Sequence, residues 1–223
     1  MPGQDNSDAV SRGMRAQLAQ RDADLADGAA PVGWKIGFNT PAIQEAFGLT
    51  EAVVGYLTDA RVSTGILPVS LDGWVSPAVE VEVAIRVGAD LGVAGLGPAL
   101  ELVDLDISFD DIEPVLAANI CHRGVIFGDE VADADPWAMV AHVTKEGAVI
   151  AEGRITEDPA VTVDFVRRFL AAHAATLAPG DRIIAGSVVA PVAVAPGDAL
   201  DVSFGPLGAL SVSFAAGCRN RRR

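Results

Sequence analysis

The chain has 223 residues, 50% of them hydrophobic but only 5% aromatic, so one domain with a core of Ala, Val, Leu and Ile is expected. Its net charge of −14 excludes the basic footprint that nucleic acid or an anionic membrane surface requires. No apolar run reaches the roughly 18 residues of a membrane span, and the polar start from Met1 to Val10 lacks the apolar stretch of a secretory signal.

Ser7 to Ala26 reads as a helix on the spacing of Val10, Met14, Leu18 and Leu25, with Ser7 or Asp8 as its cap. Val32 to Phe38 reads as a strand. Thr40 then caps a short helix from Pro41 to Phe47, which Gly48 ends. Val53 to Leu57 is a short apolar run, followed by a polar loop from Thr58 to Arg61. Pro77 to Ile85 alternates as a strand does, with Val79, Val81, Val83 and Ile85 on one face and Glu80, Glu82 and Ala84 on the other. The glycines and alanines from Asp90 to Pro98 predict a turn, and Ala99 to Val103 a strand with Glu101 at its middle.

Phe109 to Ala118 begins as a helix, with Pro114 marking a bend. Gly124 to Gly128 is a short strand, and a hairpin folds Met139–Thr144 onto Ala148–Ile155 around Lys145-Glu146-Gly147. Thr162 to Leu177 is the strongest helix, stopped by Pro179-Gly180. A Pro-Gly-Asp turn recurs before two apolar strands, at Pro179-Gly180-Asp181 and Pro196-Gly197-Asp198. Gly205 to Gly208 links the last two strands, and Arg219 to Arg223 form a basic tail. Strands dominate and the helices do not alternate with them. The expected class is therefore α+β, with a mixed β-sandwich or roll core and peripheral helices. Its parts are a helical segment over 1–31, a β-rich domain over 32–216 and a tail over 217–223.

Glu80 and Glu82 lie on the same side of one strand, with Cβ atoms roughly 7 Å apart. A divalent cation can bridge such a pair; a solvated acidic face accounts for it equally simply. Glu101 sits between Leu100 and Leu102, where an unpaired carboxylate is costly. Either a cation neutralises it or a basic residue such as Arg86 or Arg123 pairs with it. Oxygen ligands alone would select Mg²⁺, Mn²⁺ or Ca²⁺ over Zn²⁺. Lys35, flanked by Gly33-Trp34 and Ile36-Gly37, either reaches solvent or faces a pocket. Asn119, His122 and Arg123 make a polar cluster in an apolar stretch. No nucleophile elbow surrounds Ser187, no phosphate loop or dinucleotide fingerprint is present, and no His–Glu pair stands out. Cys121 and Cys218 match no ligand or redox spacing and read as reduced thiols of a cytoplasmic protein.

Five blocks in order, Gly33-Trp34-Lys35-Ile36-Gly37, Thr40-Pro41-Ala42, Gly55-Tyr56-Leu57-Thr58-Asp59, Val79 to Ala84 and Ala99 to Asp104, together resemble the 2-keto-4-pentenoate hydratase family of the fumarylacetoacetate hydrolase-like superfamily. The C-terminal run from Gly180-Asp181 through Ala185-Gly186-Ser187 to Phe204-Gly205-Pro206-Leu207-Gly208 resembles it too. The resemblance implies a Mg²⁺ or Mn²⁺ site made by Glu80, Glu82 and Glu101. It also implies proton transfer by Lys35 and Asp59, and contacts to a small anionic 2-oxo or 2-hydroxydienoic acid from Asn119, Arg123 and Ser187. The implied reaction is addition of water to a 2-hydroxy-2,4-dienoate in aromatic catabolism, giving a 4-hydroxy-2-oxo acid. Decarboxylation of a 2-oxo-3-hexenedioate-type acid, C–C hydrolysis of an acylpyruvate, and a non-catalytic partner subunit are the alternatives. A homo-oligomer is the expected assembly.

Overall fold

A computed structural model describes residues 6–106, 108 and 111–217. Phe109, Cys218 and the basic tail lie outside the described residues. The helices are α1 (Ser7–Ala26), α2 (Pro41–Phe47), α3 (Ile112–Ala117) and α4 (Pro159–Ala172). The strands are β1 (Pro31–Gly37), β2 (Val53–Thr58), β3 (Val62–Ser63), β4 (Pro77–Val87), β5 (Val93–Asp104), β6 (His122–Phe127), β7 (Ala141–Lys145), β8 (Ala148–Gly153), β9 (Arg182–Ile184), β10 (Val192–Ala193), β11 (Ala199–Ser203) and β12 (Ala209–Ser213).

Eight strands form one mixed sheet in the order β2-β1-β9-β4-β5-β6-β3, with β10 also paired to β4. The pairs β1–β9 and β3–β6 are parallel, and the rest are antiparallel. A second, antiparallel sheet runs β12-β11-β7-β8. This is the α+β arrangement expected from the excess of strands over helices.

The long β4–β5 hairpin is the centre of the large sheet. One face of β4 presents Val79, Val81, Val83 and Ile85, each at most 1% exposed, to the main core with Val163, Val166 and Leu170 of α4. The opposite face is also buried, because Leu57, Ala84, Ala99, Val125 and Ile184 pack there across five neighbouring strands. The glutamates of β4 are therefore not on a freely solvated face: Glu82 is fully buried and Glu80 only partly exposed.

Several local expectations shift. The turn over Asp90–Pro98 shrinks to Gly88–Gly92, closed by Gly88 N donating to the Gly92 carbonyl at 2.8 Å, and Pro98 lies inside β5. The small residues of that stretch instead allow the 129–131 segment to cross the strand, where Leu96 N donates to the Val131 carbonyl and Val131 N to the Leu96 carbonyl. Pro114 sits in the first turn of α3, where its missing N–H costs nothing, and Asp111 caps that helix. Neither Ser7 nor Asp8 caps α1; Asn6 holds the capping position, and its amide donates to the Phe47 carbonyl. α4 starts at Pro159, where Asp158 accepts a hydrogen bond from Ala160 N. It stops at Ala172, well before Pro179, because Ala174 turns left-handed at φ 58° and Ala175 N closes onto the Leu170 carbonyl. The two Pro-Gly-Asp turns are built alike: Asp181 accepts from Ala178 N at 2.9 Å, and Asp198 from Ala195 N at 2.8 Å.

Candidate metal centre

Antiparallel pairing of β4 with β5 sets Glu80 directly opposite Glu101 and Glu82 opposite Ala99. Alternation places Glu82 on the same side as Glu80. One carboxylate oxygen from each of Glu80, Glu82 and Glu101 lies within 4.8 Å of the others. Among the described residues this is the one group of three or more acidic, His or Cys side chains so disposed.

Lys35 projects into the same place from the middle of β1. It is 1% exposed, and its Nζ donates to Glu101 Oε1 at 2.5 Å and to the Ile120 carbonyl at 3.0 Å. The partner of Glu101 is thus Lys35, neither Arg86 nor Arg123. His122, at the start of β6, brings Nδ1 to 2.8 Å from the same oxygen. An ionised carboxylate only accepts, so Nδ1 carries the proton and Nε2 does not. This is the His–Glu pair that the spacing of the sequence does not reveal.

The charges settle accordingly. Burial disfavours the Lys35 ammonium, but Glu101 and Glu80 outweigh it and raise its pKa above the ordinary value. Burial also opposes ionisation of Glu101, yet Lys35 and His122 hold it at about 2. Burial and the Glu101 charge push Glu80 up to about 7, and burial with both neighbours raises Glu82 well above the usual range. His122 is lowered by burial and stays neutral.

Hydrogen bonding exposes the deficit. Glu101 Oε1 has two donors, and Glu82 Oε2 accepts from Gly186 N at 2.8 Å. The other oxygens, Glu101 Oε2 and Glu82 Oε1, are buried with no hydrogen-bond partner. Buried unsatisfied acceptors are rare because each carries the full desolvation penalty. Ionising all three carboxylates against one ammonium would put two net negative charges in a desolvated place, which is why Glu80 and Glu82 are held toward their protonated forms. A divalent cation bound through oxygen fits both the two free acceptors and the charge.

The backbone is shaped to serve this cluster. Asn119, Ile120 and Cys121 are three consecutive left-handed residues, at φ 56°, 52° and 64°. That conformation is unfavourable for a β-branched residue such as Ile. The turn is held by the Asn119 amide, whose Oδ1 accepts from Tyr56 N and whose Nδ2 donates to the Tyr56 carbonyl, both at 2.9 Å. It presents the Ile120 carbonyl to Lys35. Gly55 lies against the turn: a Cβ there would be 2.6 Å from Asn119 Oδ1 and 2.8 Å from Lys35 Cγ. Gly186, at φ 94°, brings its N–H to Glu82, and a Cβ on it would be 2.1 Å from Asn39 Nδ2.

A cavity of about 440 Å³ opens beside Glu80. Ser187 lines it, although its hydroxyl is occupied by the backbone of Val81, accepting from N at 3.0 Å and donating to O at 3.3 Å. The other expected residues go elsewhere. Asn119 clamps Tyr56 and lines no described cavity near Glu80. Arg123 pairs with Asp104 at 3.0 Å and stacks over Trp74. Asp59 follows the end of β2, and its carboxylate accepts from Ala30 N at 2.7 Å. Asp59 and Arg123 share a different, open cavity of about 580 Å³ with Asp24, Asp27 and Arg61. The strand ends carry them there: β1 pairs Lys35 with Gly55 and Pro31 with Thr58, so Asp59 lies toward the far end of the strand from Lys35.

Among the described residues no helix is long and apolar enough to cross a membrane. No family model matches the chain. A TodF product hydratase of Pseudomonas putida is 28% identical over 211 residues, spanning 86% of this chain and 79% of its own length. A 4-oxalocrotonate decarboxylase of Pseudomonas putida is 27% identical over 203 residues, spanning 82% and 77%. The fold matches the solved 4-oxalocrotonate decarboxylase from Pseudomonas putida G7, complexed with magnesium and adipate, at a TM-score of 0.82 and 22% identity, over 91% of this chain and 84% of that one. The chain is a homologue of the 2-keto-4-pentenoate hydratases and their decarboxylase relatives, with the fold of the fumarylacetoacetate hydrolase-like superfamily.

Proposed function

We propose that this chain is a divalent-cation-dependent hydro-lyase that adds water to a 2-hydroxy-2,4-dienoate to give a 4-hydroxy-2-oxo acid. The observation that carries the reading is the pair of buried, unsatisfied oxygens on Glu82 and Glu101, clustered with Glu80, which lines an open cavity. Glu80, Glu82 and Glu101 would hold Mg²⁺ or Mn²⁺. When bound, the cation polarises the 2-oxo group of the acid and offsets charge developing on its oxygen. Lys35 fixes Glu101 in place and supplies a buried positive charge toward an anionic substrate. Two of its three N–H donors are spent on Glu101 and Ile120, and the third is left for a substrate oxygen or a proton transfer. His122 orients Glu101 from the other side, and Gly186 N orients Glu82. A homo-oligomer in the cytoplasm is the setting that this reading assumes.

The decarboxylase alternative presents the same 2-oxo carboxylate end to the site but takes a 2-oxo-3-hexenedioate, whose second carboxylate leaves as CO₂; one relative carries that name. The test is the ultraviolet absorbance of the dienoate. Added protein with Mg²⁺ should bleach it; EDTA should stop the bleaching, Mg²⁺ restore it, and Glu82→Gln abolish it. Bleaching indifferent to EDTA defeats the cation reading. Product mass should show gain of water with the dienoate, and loss of CO₂ from a 2-oxo-3-hexenedioate offered in parallel would instead favour the decarboxylase.

A further inference from the structure

We propose that the acid this site accepts carries an uncharged, apolar tail and no second carboxylate. The proposal deepens the cation-site reading above and rests on it. The cavity beside Glu80 is walled by Ile36, Phe38, Ile43, Leu105, Val189 and Pro191. Among its described lining residues Glu80 is the one charged side chain, and no lysine or arginine takes part. The neutral polar side chains are those of Ser187 and of the solvent-exposed Asn39 and Thr40. Ser187 is bonded to the Val81 backbone on both sides. Asn39 lies tight against Gly186, where not even a methyl group would fit between them.

An acid that places its 2-oxo carboxylate end near Glu80 extends the rest of its length along this wall. At about 440 Å³ the cavity falls within the range of sites that enclose a small organic ligand. An alkyl or aryl tail would bury apolar surface there. A distal carboxylate would lie along this apolar wall, give up part of its hydration and meet no lysine or arginine in return.

Besides Lys35, which Glu101 holds, Arg154 is the cation to consider. It lines an adjoining pocket of about 200 Å³ that shares Asn39, Thr40, Gly186, Ser187 and Val188 with the larger cavity. Asn39 packs against Gly186 where the two pockets adjoin. Arg154 is itself exposed, and Glu157 in the same pocket offsets its charge.

The experiment is calorimetric titration of the full chain in Mg²⁺ with two stable probes of equal carbon count, 2-oxohexanoate and 2-oxoadipate. The mono-acid should bind more tightly by about tenfold or more, as expected when a partly desolvated carboxylate finds no partner. Omitting Mg²⁺ should remove binding of both. Ile43→Arg, on α2, should narrow the preference by about tenfold or more by placing a cation on the wall. Leu105→Lys, on another segment, provides the same test if the first variant does not fold. Equal or tighter binding of the diacid overturns the proposal; if Arg154→Gln then abolishes that binding, the distal carboxylate reaches the adjoining pocket. If neither acid binds in Mg²⁺, the cation-site reading falls, and the preference built on it falls with it.

Discussion

An open cavity and a buried cluster divide the charged residues that the sequence of this protein brings forward, and they treat those residues oppositely. In the open cavity, Asp59 accepts from Ala30 N, Asp24 accepts from the Tyr56 hydroxyl and Gln20, and Arg123 holds Asp104. Each group there has a protein partner or lies in water. At the wall of β4 and β5, Glu82 and Glu101 are fully buried, and each keeps one oxygen with no partner. Composition does not separate the two places, since both mix carboxylates with cations. Burial does: water satisfies an exposed carboxylate at no cost, whereas a buried one must be bonded, protonated or bound to a cation.

The largest effect should come from removing the cation of the buried wall. Lys35→Met strands Glu101 in the interior, and breaking such a pair costs about 3–5 kcal/mol. Urea denaturation of the cation-free protein measures it. Arg123→Met, whose side chain is 45% exposed, should cost about 1 kcal/mol or less. Equal costs would erase the contrast between the open cavity and the buried cluster.

Next is the turn behind Lys35. Gly55→Ala forces Asn119 or Lys35 to move, at about 1–3 kcal/mol. It should also slow dienoate turnover while leaving the circular dichroism spectrum native. Full activity would mean that the left-handed turn does not position Lys35.

A smaller effect concerns pH and belongs to Asp104. Burial alone would raise its pKa, but hydrogen bonds from Ser76 N and Val75 N, with Arg123, outweigh burial and hold it below the ordinary 3.8. A carboxyl lowered in the folded state releases its proton more readily there than when unfolded. Its contribution is therefore fully present above pH 3.8 and is lost as pH falls through the lowered value. Asp104→Asn should flatten that acid limb of the stability curve and leave Mg²⁺ affinity at neutral pH unchanged. An unaltered limb would show that the lowering is not expressed in folding.

The smallest effect is expected from Asp59→Asn. On a solvated loop it should change stability by about 0.5 kcal/mol or less and kcat/KM by about twofold or less. A loss of several orders of magnitude would return Asp59 to the reaction and redraw the boundary between the open cavity and the buried cluster.

How much of this was legible depends on distance along the chain. The apolar alternation of β4, the hairpin at Glu146-Gly147 and the paired Pro-Gly-Asp turns are local patterns, and the structure repeats them. Helix ends were less legible, because Ala174 stops α4 through a left-handed turn that no glycine announces. At the candidate site, Asn119 and His122 were visible as a polar cluster, but their tasks were not. Asn119 serves Tyr56, 63 residues away, and His122 serves Glu101.

The sequence by itself determined that Glu80 and Glu82 share a side of one strand, since a period of two is a property of the extended backbone. It also determined that the core would be aliphatic and mostly β. Only the tertiary structure decided that the opposite face of that strand is buried as well. Only the antiparallel register set Glu101 across from Glu80, and only packing of β1 into the same sheet delivered Lys35 to Glu101 while Asp59 went to the surface. A carboxylate's demand for a partner comes from its desolvation, and desolvation depends on what lies across the sheet more than on what is adjacent in the chain.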